Sequence, residues 1–486
     1  MIYRLRPYQE DCVKSISDYI NSDRRDPVLI VAPVAAGKSI LIAEAARLMG
    51  DKTLVLQPSR ELLTQNHDKI TSYGIPATIY SASCGKKELS NMIYATLGSI
   101  KKVVGQLKEM GIRNVLIDEA HAGYSPEDGS EFMTFMNELK PRKVIGFTAT
   151  PCRLKNISIG QTSYSQLNFI TRMRPVYFKN LIHVIQVEEM IRQGFWTPLK
   201  YETWDFNGDA LKLNSNGSEY TAESISEAVR KNGLNNLILR RLMVLKDVCR
   251  SILVFMDSVE SCNTAAEWMN AKICAGMAEV VHGGTPKKQR EAIVERFKSG
   301  KTKVVFNYSA LGTGFDHPGL DCVIVGRPTF SFSSFYQWLG RAVRIKDGKD
   351  SALVVDCCNN SSRFGDIRKL SIENYKGYGW GMFIGDKLIT NIPMGDKVTK
   401  TDLDIKAAKK DRRRGLAQGI TASPVPGRPD HPLGSTVMTF GKYSGWMLHS
   451  IPVSYFKFIN ETFDWDNDKN KEIKEYIDFL IKNNRL

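Results

Sequence analysis

The chain has 486 residues, 42% hydrophobic and 24% charged, with a formal net charge of +15. These proportions describe a globular chain of roughly two to four domains, with no run of about 18 apolar residues to span a bilayer and no signal peptide at Met1-Ile2-Tyr3-Arg4. Its nine cysteines stand singly apart from Cys357-Cys358 and form no CxxC pair, which suits reduced cytoplasmic thiols and excludes a disulfide framework or a structural zinc site; the positive excess favours a polyanionic partner.

Near the N-terminus, Arg6 and Gln9 precede an amphipathic stretch from Asp11 to Ile20. Gln9 has the two-way amide needed to read an adenine edge, so both residues are assigned to the nucleotide. Pro27 to Val31 reads as a short buried strand, and Ser39 to Ala46 has helical apolar spacing. Between them lies Ala32-Pro33-Val34-Ala35-Ala36-Gly37-Lys38-Ser39. Strand, glycine loop and helix form a phosphate cradle: backbone N–H groups around Ala35 and Gly37 bind phosphate, Lys38 neutralises it, and Ser39 ligates Mg²⁺. The first glycine usual in this pattern is Ala32 here.

Thr53 to Leu56 reads as a strand, followed by Gln57-Pro58-Ser59-Arg60 at a helix start, with Ser59 as its cap. Such a start suits nucleic-acid phosphate, so Pro58 and Arg60 are nucleic-acid candidates, as are Thr96 and Ser99 in a second hydroxyl-rich helix start. About eighty residues beyond the glycine loop, the strand Val115-Leu116-Ile117 runs into Asp118-Glu119-Ala120-His121. Asp118 would hold the Mg²⁺ shell and Glu119 would orient or deprotonate a water. Lys143 to Pro151 is a buried strand ending in Thr148 and Thr150.

A second series of short buried strands follows: Ser251 to Met256, Lys303 to Asn307, Cys322 to Val325 and Ala352 to Asp356. With helical patterns between them, they predict another parallel α/β domain, which has no glycine loop. It carries Gly312-Thr313-Gly314-Phe315-Asp316 and Gln337-Trp338-Leu339-Gly340-Arg341-Ala342-Val343-Arg344. A helix through the latter would put Gln337, Arg341 and Arg344 on one face, where the arginines could stabilise charge on a transferring phosphoryl group.

The order of these elements resembles superfamily 2 helicases and translocases, and more narrowly RadD-type and UvsW-like DNA helicases, over roughly residues 1–360. The resemblance implies two tandem RecA-like parallel-sheet domains, residues 1–198 and 199–390, with ATP and Mg²⁺ in the cleft between them. It implies coupling of hydrolysis to domain movement by Thr148-Ala149-Thr150, nucleic-acid contact by those threonines and Thr313, and nucleotide contact by Gly314 and Asp316. The cysteine-rich zinc segment typical of RadD-type proteins is absent here.

Residues 397–418 carry eight Lys/Arg against three Asp, and Lys409, Lys410, Arg412 and Arg413 are expected to grip backbone phosphate within a basic, Pro-rich linker, residues 391–430. A small domain, residues 431–486, follows, resembling an FGKYxG…IPxxY module at the ends of some bacterial and phage nucleases. Lys442, Tyr443 and Trp446 have the chemistry to stack on unpaired bases, but most of these aromatics are expected to form the module's core.

The sequence thus predicts a cytoplasmic, monomeric ATP-dependent DNA helicase or translocase, bacterial or phage, acting on single-stranded, forked or junction DNA with other replication or recombination proteins. An RNA helicase, an ATP-gated clamp and a restriction-type translocase subunit are the alternatives.

Overall fold

The structure, a computed structural model, describes residues 4–124, 126–127, 129–159, 162–311, 315–376, 378–394, 396–407, 432–440, 443–451, 453–462, 465 and 470–483. The apolar runs flanked by turn residues become its central strands. β1 (Val28–Val31), β2 (Thr53–Leu56), β3 (Thr78–Ser81), β4 (Lys86–Lys87), β5 (Met92–Ala95), β6 (Asn114–Ile117) and β7 (Lys143–Thr148) belong to one sheet. After the hairpin β8 (Cys152–Ile159) and β9 (Thr162–Phe169), β10 (Asn180–Val184) completes it in the order β10-β1-β7-β6-β2-β5-β3-β4. The pairings are parallel except β3 with β4. Strands β1, β2, β5, β6 and β7 are buried at every residue, as a sheet covered on both faces requires.

A second sheet contains β11 (Leu199–Thr203), β12 (Ile252–Phe255), β13 (Ala278–His282), β14 (Val304–Tyr308), β15 (Cys322–Val325) and β16 (Ala352–Asp356). Its order is β11-β16-β15-β12-β14-β13, and every pairing is parallel. The mixed α/β class and the two parallel-sheet lobes follow the sequence expectation.

Both lobes belong to one compact unit, residues Met1–Asn374 and Trp380–Val398. Their contact is close at the glycine loop. The Trp196 indole, 2% exposed, donates to Val34 O at 2.9 Å. On the other lobe, Gly340 meets the same residue: a Cβ there would lie 2.6 Å from Val34 Cβ, so any side chain would push the lobes apart.

The second compact unit comprises Tyr375–Gly379 and Thr399–Leu486. Its described residues pack around a separate cluster that includes Leu448, Ile451, Phe456 and Ile477. Tyr443 and Trp446 lie half-buried against this cluster, as part of the expected core; Lys442 falls outside the described residues.

Candidate active site

The glycine loop joins β1 to helix α2 (Lys38–Met49) through two left-handed residues, Ala35 at φ 64° and Gly37 at φ 81°. The loop therefore curls back on itself, and no side chain caps the start of α2. Its first N–H groups and the positive helix end are left for an anion.

The loop is held from behind by helix α1 (Pro7–Asn21). Gln9, 2% exposed, donates from Nε2 to Ala36 O at 2.8 Å and accepts at Oε1 from Arg6 N at 3.0 Å. Each end of the amide holds one bond here, which leaves one N–H and one carbonyl lone pair over. Arg6 bonds the Tyr8 hydroxyl at 3.0 Å and stacks over Phe195. These residues brace the loop rather than line its cavity.

β6 delivers Asp118, 1% exposed, to the centre of the site. Lys38 Nζ lies 3.1 Å from Asp118 Oδ1 and also bonds Glu119 Oε1. Asn66, from helix α3 (Arg60–Ser72), donates to Asp118 Oδ2 at 3.0 Å. Burial opposes charge on Lys38, but Asp118 and then Glu119 more than offset it, so the ammonium is held above its ordinary pKa. Burial likewise pushes the Asp118 carboxyl up, with Lys38 opposing it. Glu119 sits at φ 47°, a left-handed backbone unusual for a residue with a side chain. His121 Nδ1 is 2.8 Å from Thr148 Oγ1. Burial, followed by the charges of Lys38 and Arg153, lowers its pKa to about 3, so this imidazole is neutral.

The second lobe supplies the opposite wall. The helix expected to carry Gln337, Arg341 and Arg344 on one face ends at Leu339, capped by Gly340. Gly340 meets Val34 at that end, and both arginines lie in the segment that follows. They still converge: each donates from Nη1 to Phe315 O, at 2.7 Å from Arg341 and 2.8 Å from Arg344. Arg344 also pairs with Asp316 at 2.9 Å. Burial first and the like charge of Arg344 second disfavour the charged form of Arg341, an arrangement that an incoming anion would relieve.

One cavity of about 270 Å³ is lined by Ala32, Ala35, Gly37, Lys38, Ser39, Glu119, Asp316, Gln337, Arg341 and Arg344, together with Gln65 and Lys69. Lys38, Ser39, Glu119, Arg341 and Arg344 therefore meet in one place.

The expected nucleic-acid residues divide. Pro58 and Arg60 are exposed at the start of α3, where Ser59 Oγ caps the helix by accepting from Leu62 N at 3.3 Å. Thr96 and Ser99 are half-buried and bond each other at 3.2 Å. Thr148 and Thr150 are fully buried, bonded to His121 and Ser333, so neither offers a hydroxyl to nucleic acid as the resemblance implied. Thr313, Gly314, Lys409, Lys410, Arg412 and Arg413 lie outside the described residues. Sequence reasoning missed Asn66 and Lys69, whose only signal was their place on α3, and Arg153, visible just past Thr150-Pro151.

Residues 2–153 match the family of the type III restriction enzyme res subunit, and residues 235–346 match the helicase conserved C-terminal domain. The two matches fall on the two lobes, in the order found in one helicase motor. The chain belongs to the superfamily 2 helicases. It is 25% identical over 332 residues to a 51.5 kDa protein of a Lactococcus phage, covering 68% of this chain and 65% of that one. It is 23% identical to the putative ATP-dependent helicase IRC3 of Saccharomyces cerevisiae (74% and 52%), and 24% identical to the DNA 3'-5' translocase XPB2 of Sulfurisphaera tokodaii (72% and 80%). The chain thus spans less than two thirds of the phage and yeast proteins. Among solved structures, the type ISP restriction-modification enzyme LlaBIII bound to DNA superposes with a TM-score of 0.54 at 15% identity, over 86% of this chain and 30% of that chain. At this identity, the likeness of this helicase-family chain to LlaBIII concerns the fold alone.

Proposed function

We propose that this protein is a nucleic-acid-stimulated ATPase that drives DNA translocation or unwinding. The observation that carries the reading is the shared cavity, in which Lys38, Ser39 and Glu119 of one lobe face Arg341 and Arg344 of the other. The phosphates would lie on the start of α2, with Lys38 released from its two acids to meet them. Ser39 and Asp118 are hard oxygen donors that suit Mg²⁺, an ion that keeps much of its shell as water and phosphate oxygens; when bound, it would offset phosphate charge. Glu119 would orient or deprotonate the attacking water, and Arg341 and Arg344 would bear on the γ-phosphoryl charge. Closing the lobes would complete the site, and reopening after hydrolysis would shift the grip on the strand, so each cycle becomes a step.

The proposed track runs past Pro58, Arg60, Thr96 and Ser99, with the basic segment around Lys409 to Arg413 as an additional, salt-sensitive contact. The preferred substrate is DNA, branched or partly single-stranded, in replication, recombination or repair. The archaeal relative, a DNA 3'-5' translocase, and the similarity to RadD-type and UvsW-like motifs support that choice. Basal and nucleic-acid-stimulated ATPase rates of the wild type test the reading, with Lys38→Ala as the inactive control.

A further inference from the structure

Arg153 stands near the start of β8, and its half-buried guanidinium makes its bonds with backbone. Nε donates to His121 O at 2.6 Å; Nη2 donates to Tyr124 O at 2.6 Å and, more loosely, to Ala120 O at 3.4 Å. These carbonyls belong to the turn that directly follows Glu119, the residue held at φ 47°. The same turn is fixed to β7, where Ala120 N donates to Phe147 O at 2.9 Å and His121 meets Thr148. Gly146 makes that approach possible, since a Cβ there would lie 2.9 Å from Ala120 Cβ. A planar fork of donors can hold carbonyls that point in different directions, which a single ammonium cannot do as well.

The hairpin that begins next to Arg153 is bonded, farther along, to segments of the second lobe and to the chain that follows it. Asn156 Nδ2 donates to Asn216 O at 3.1 Å. Along the free edge of β9, Met394 N donates to Ser165 O at 2.8 Å and Asn391 N to Leu167 O at 2.7 Å; Asn391 Oδ1 accepts from Phe169 N at 3.1 Å. β8 and β9 pair residue for residue, from Cys152 with Phe169 to Ile159 with Thr162. Arg153 is paired with Asn168, next to the Phe169 that Asn391 holds, so a displacement of β9 is passed on at that end of the ladder.

Resting on the ATPase reading above, we propose that Arg153 is a positioning residue for Glu119, and that through it the β8–β9 hairpin transmits the position of the second lobe to the hydrolytic turn. Hydrolysis would then be fast only when the lobes sit as nucleic acid sets them.

The test is steady-state ATPase of the full chain, with and without single-stranded DNA, for wild type, Arg153→Lys and the double variant Asn156→Ala/Asn391→Gly. The glycine keeps the left-handed backbone of Asn391, φ 57°. Arg153→Lys is expected to lower kcat by roughly 10²-fold, the scale of an ~1 Å misplacement, with KM for ATP within about threefold of wild type. The double variant is expected to keep the basal rate and lose most of the stimulation by DNA. Wild-type kcat in Arg153→Lys, or a raised KM with kcat unchanged, overturns the proposal, as does full stimulation in the double variant. If Arg153→Lys does not melt cooperatively, the double variant decides alone. A wild type that hydrolyses no ATP under any condition sinks the ATPase reading itself, whereas a stimulated wild type with an equally active Arg153→Lys sinks only this inference.

Discussion

Lys38 and Asp118 form a buried ion pair, Nζ to Oδ1 at 3.1 Å, in which the side chains are 16% and 1% exposed. The glycine-loop lysine therefore compensates the acids that follow the neighbouring strand. Removing one partner of such a pair leaves the other charge uncompensated in a poorly solvated place. Lys38→Ala is expected to abolish turnover and to spare DNA affinity within about threefold. It should also melt earlier than wild type and regain more stability on addition of Mg²⁺, which melting curves with and without the ion would check.

Glu119→Gln keeps the size of the side chain and removes the base. ATP should remain bound and unhydrolysed, seen as retained nucleotide affinity with a kcat reduced by roughly 10²-fold or more. Rapid turnover in this variant would remove Glu119 from the mechanism.

Arg344→Ala is expected to lower the ATPase rate by about 10³-fold, the scale of an arginine finger. Because Asp316 pairs with Arg344 at 2.9 Å, Asp316→Asn is expected to have a far smaller effect. A loss below about tenfold in Arg344→Ala would place the finger elsewhere.

Gln9 is bonded at both amide ends to the chain that frames the glycine loop. Gln9→Ala removes the shorter of two bonds to the Ala36 carbonyl, 2.8 Å from Gln9 against 3.4 Å from the Tyr8 hydroxyl, a loss of about 0.5–1.5 kcal/mol. Its KM should rise for ATP and GTP alike, because the loop loosens for either base. A rise confined to ATP would instead show that Gln9 reads the adenine, as the sequence leads one to expect.

His317, 5% exposed, sits 2.8 Å from Ser251 Oγ and packs on Phe297 and Phe315. Burial, followed by Lys346, Lys298 and Lys349, lowers its pKa from 6.5 to about 4. The folded state keeps it neutral where the unfolded chain would protonate it. Its contribution is thus intact above pH 6.5 and is lost as pH falls from there towards 4. At pH 5 the loss is up to about 2 kcal/mol. His317→Asn should flatten the fall in unfolding free energy between pH 6.5 and 5; an unchanged slope would show that other groups govern it.

The central strands were legible because parallel strands buried on both faces read as continuous apolar runs: β1, β2, β6, β7, β12, β14, β15 and β16 stand where those runs stand. Most of the strands that were missed carry mixed patterns; β5, buried at every residue, is an exception. β10, β11 and β13 lie at sheet edges, with residues such as His183, Lys200 and Glu279 in them. β8 and β9 alternate with Lys155, Asn156, Gln166 and Asn168, and their partners are distant in sequence. In the site, motif spacing located Lys38, Asp118, Glu119, Arg341 and Arg344. It did not foresee that Gln9 would bond the loop, that Thr148 and Thr150 would be buried, or that the helix would end before Arg341. Each of these depends on packing between segments far apart in the chain.

The most direct measurement is the steady-state ATPase rate, first without nucleic acid and then with single-stranded DNA, duplex, forked DNA, a four-way junction and RNA. Strong stimulation by DNA, lost in Lys38→Ala, is the expected result. ATP hydrolysis indifferent to every nucleic acid, or none at all, would contradict a motor driven by this cleft.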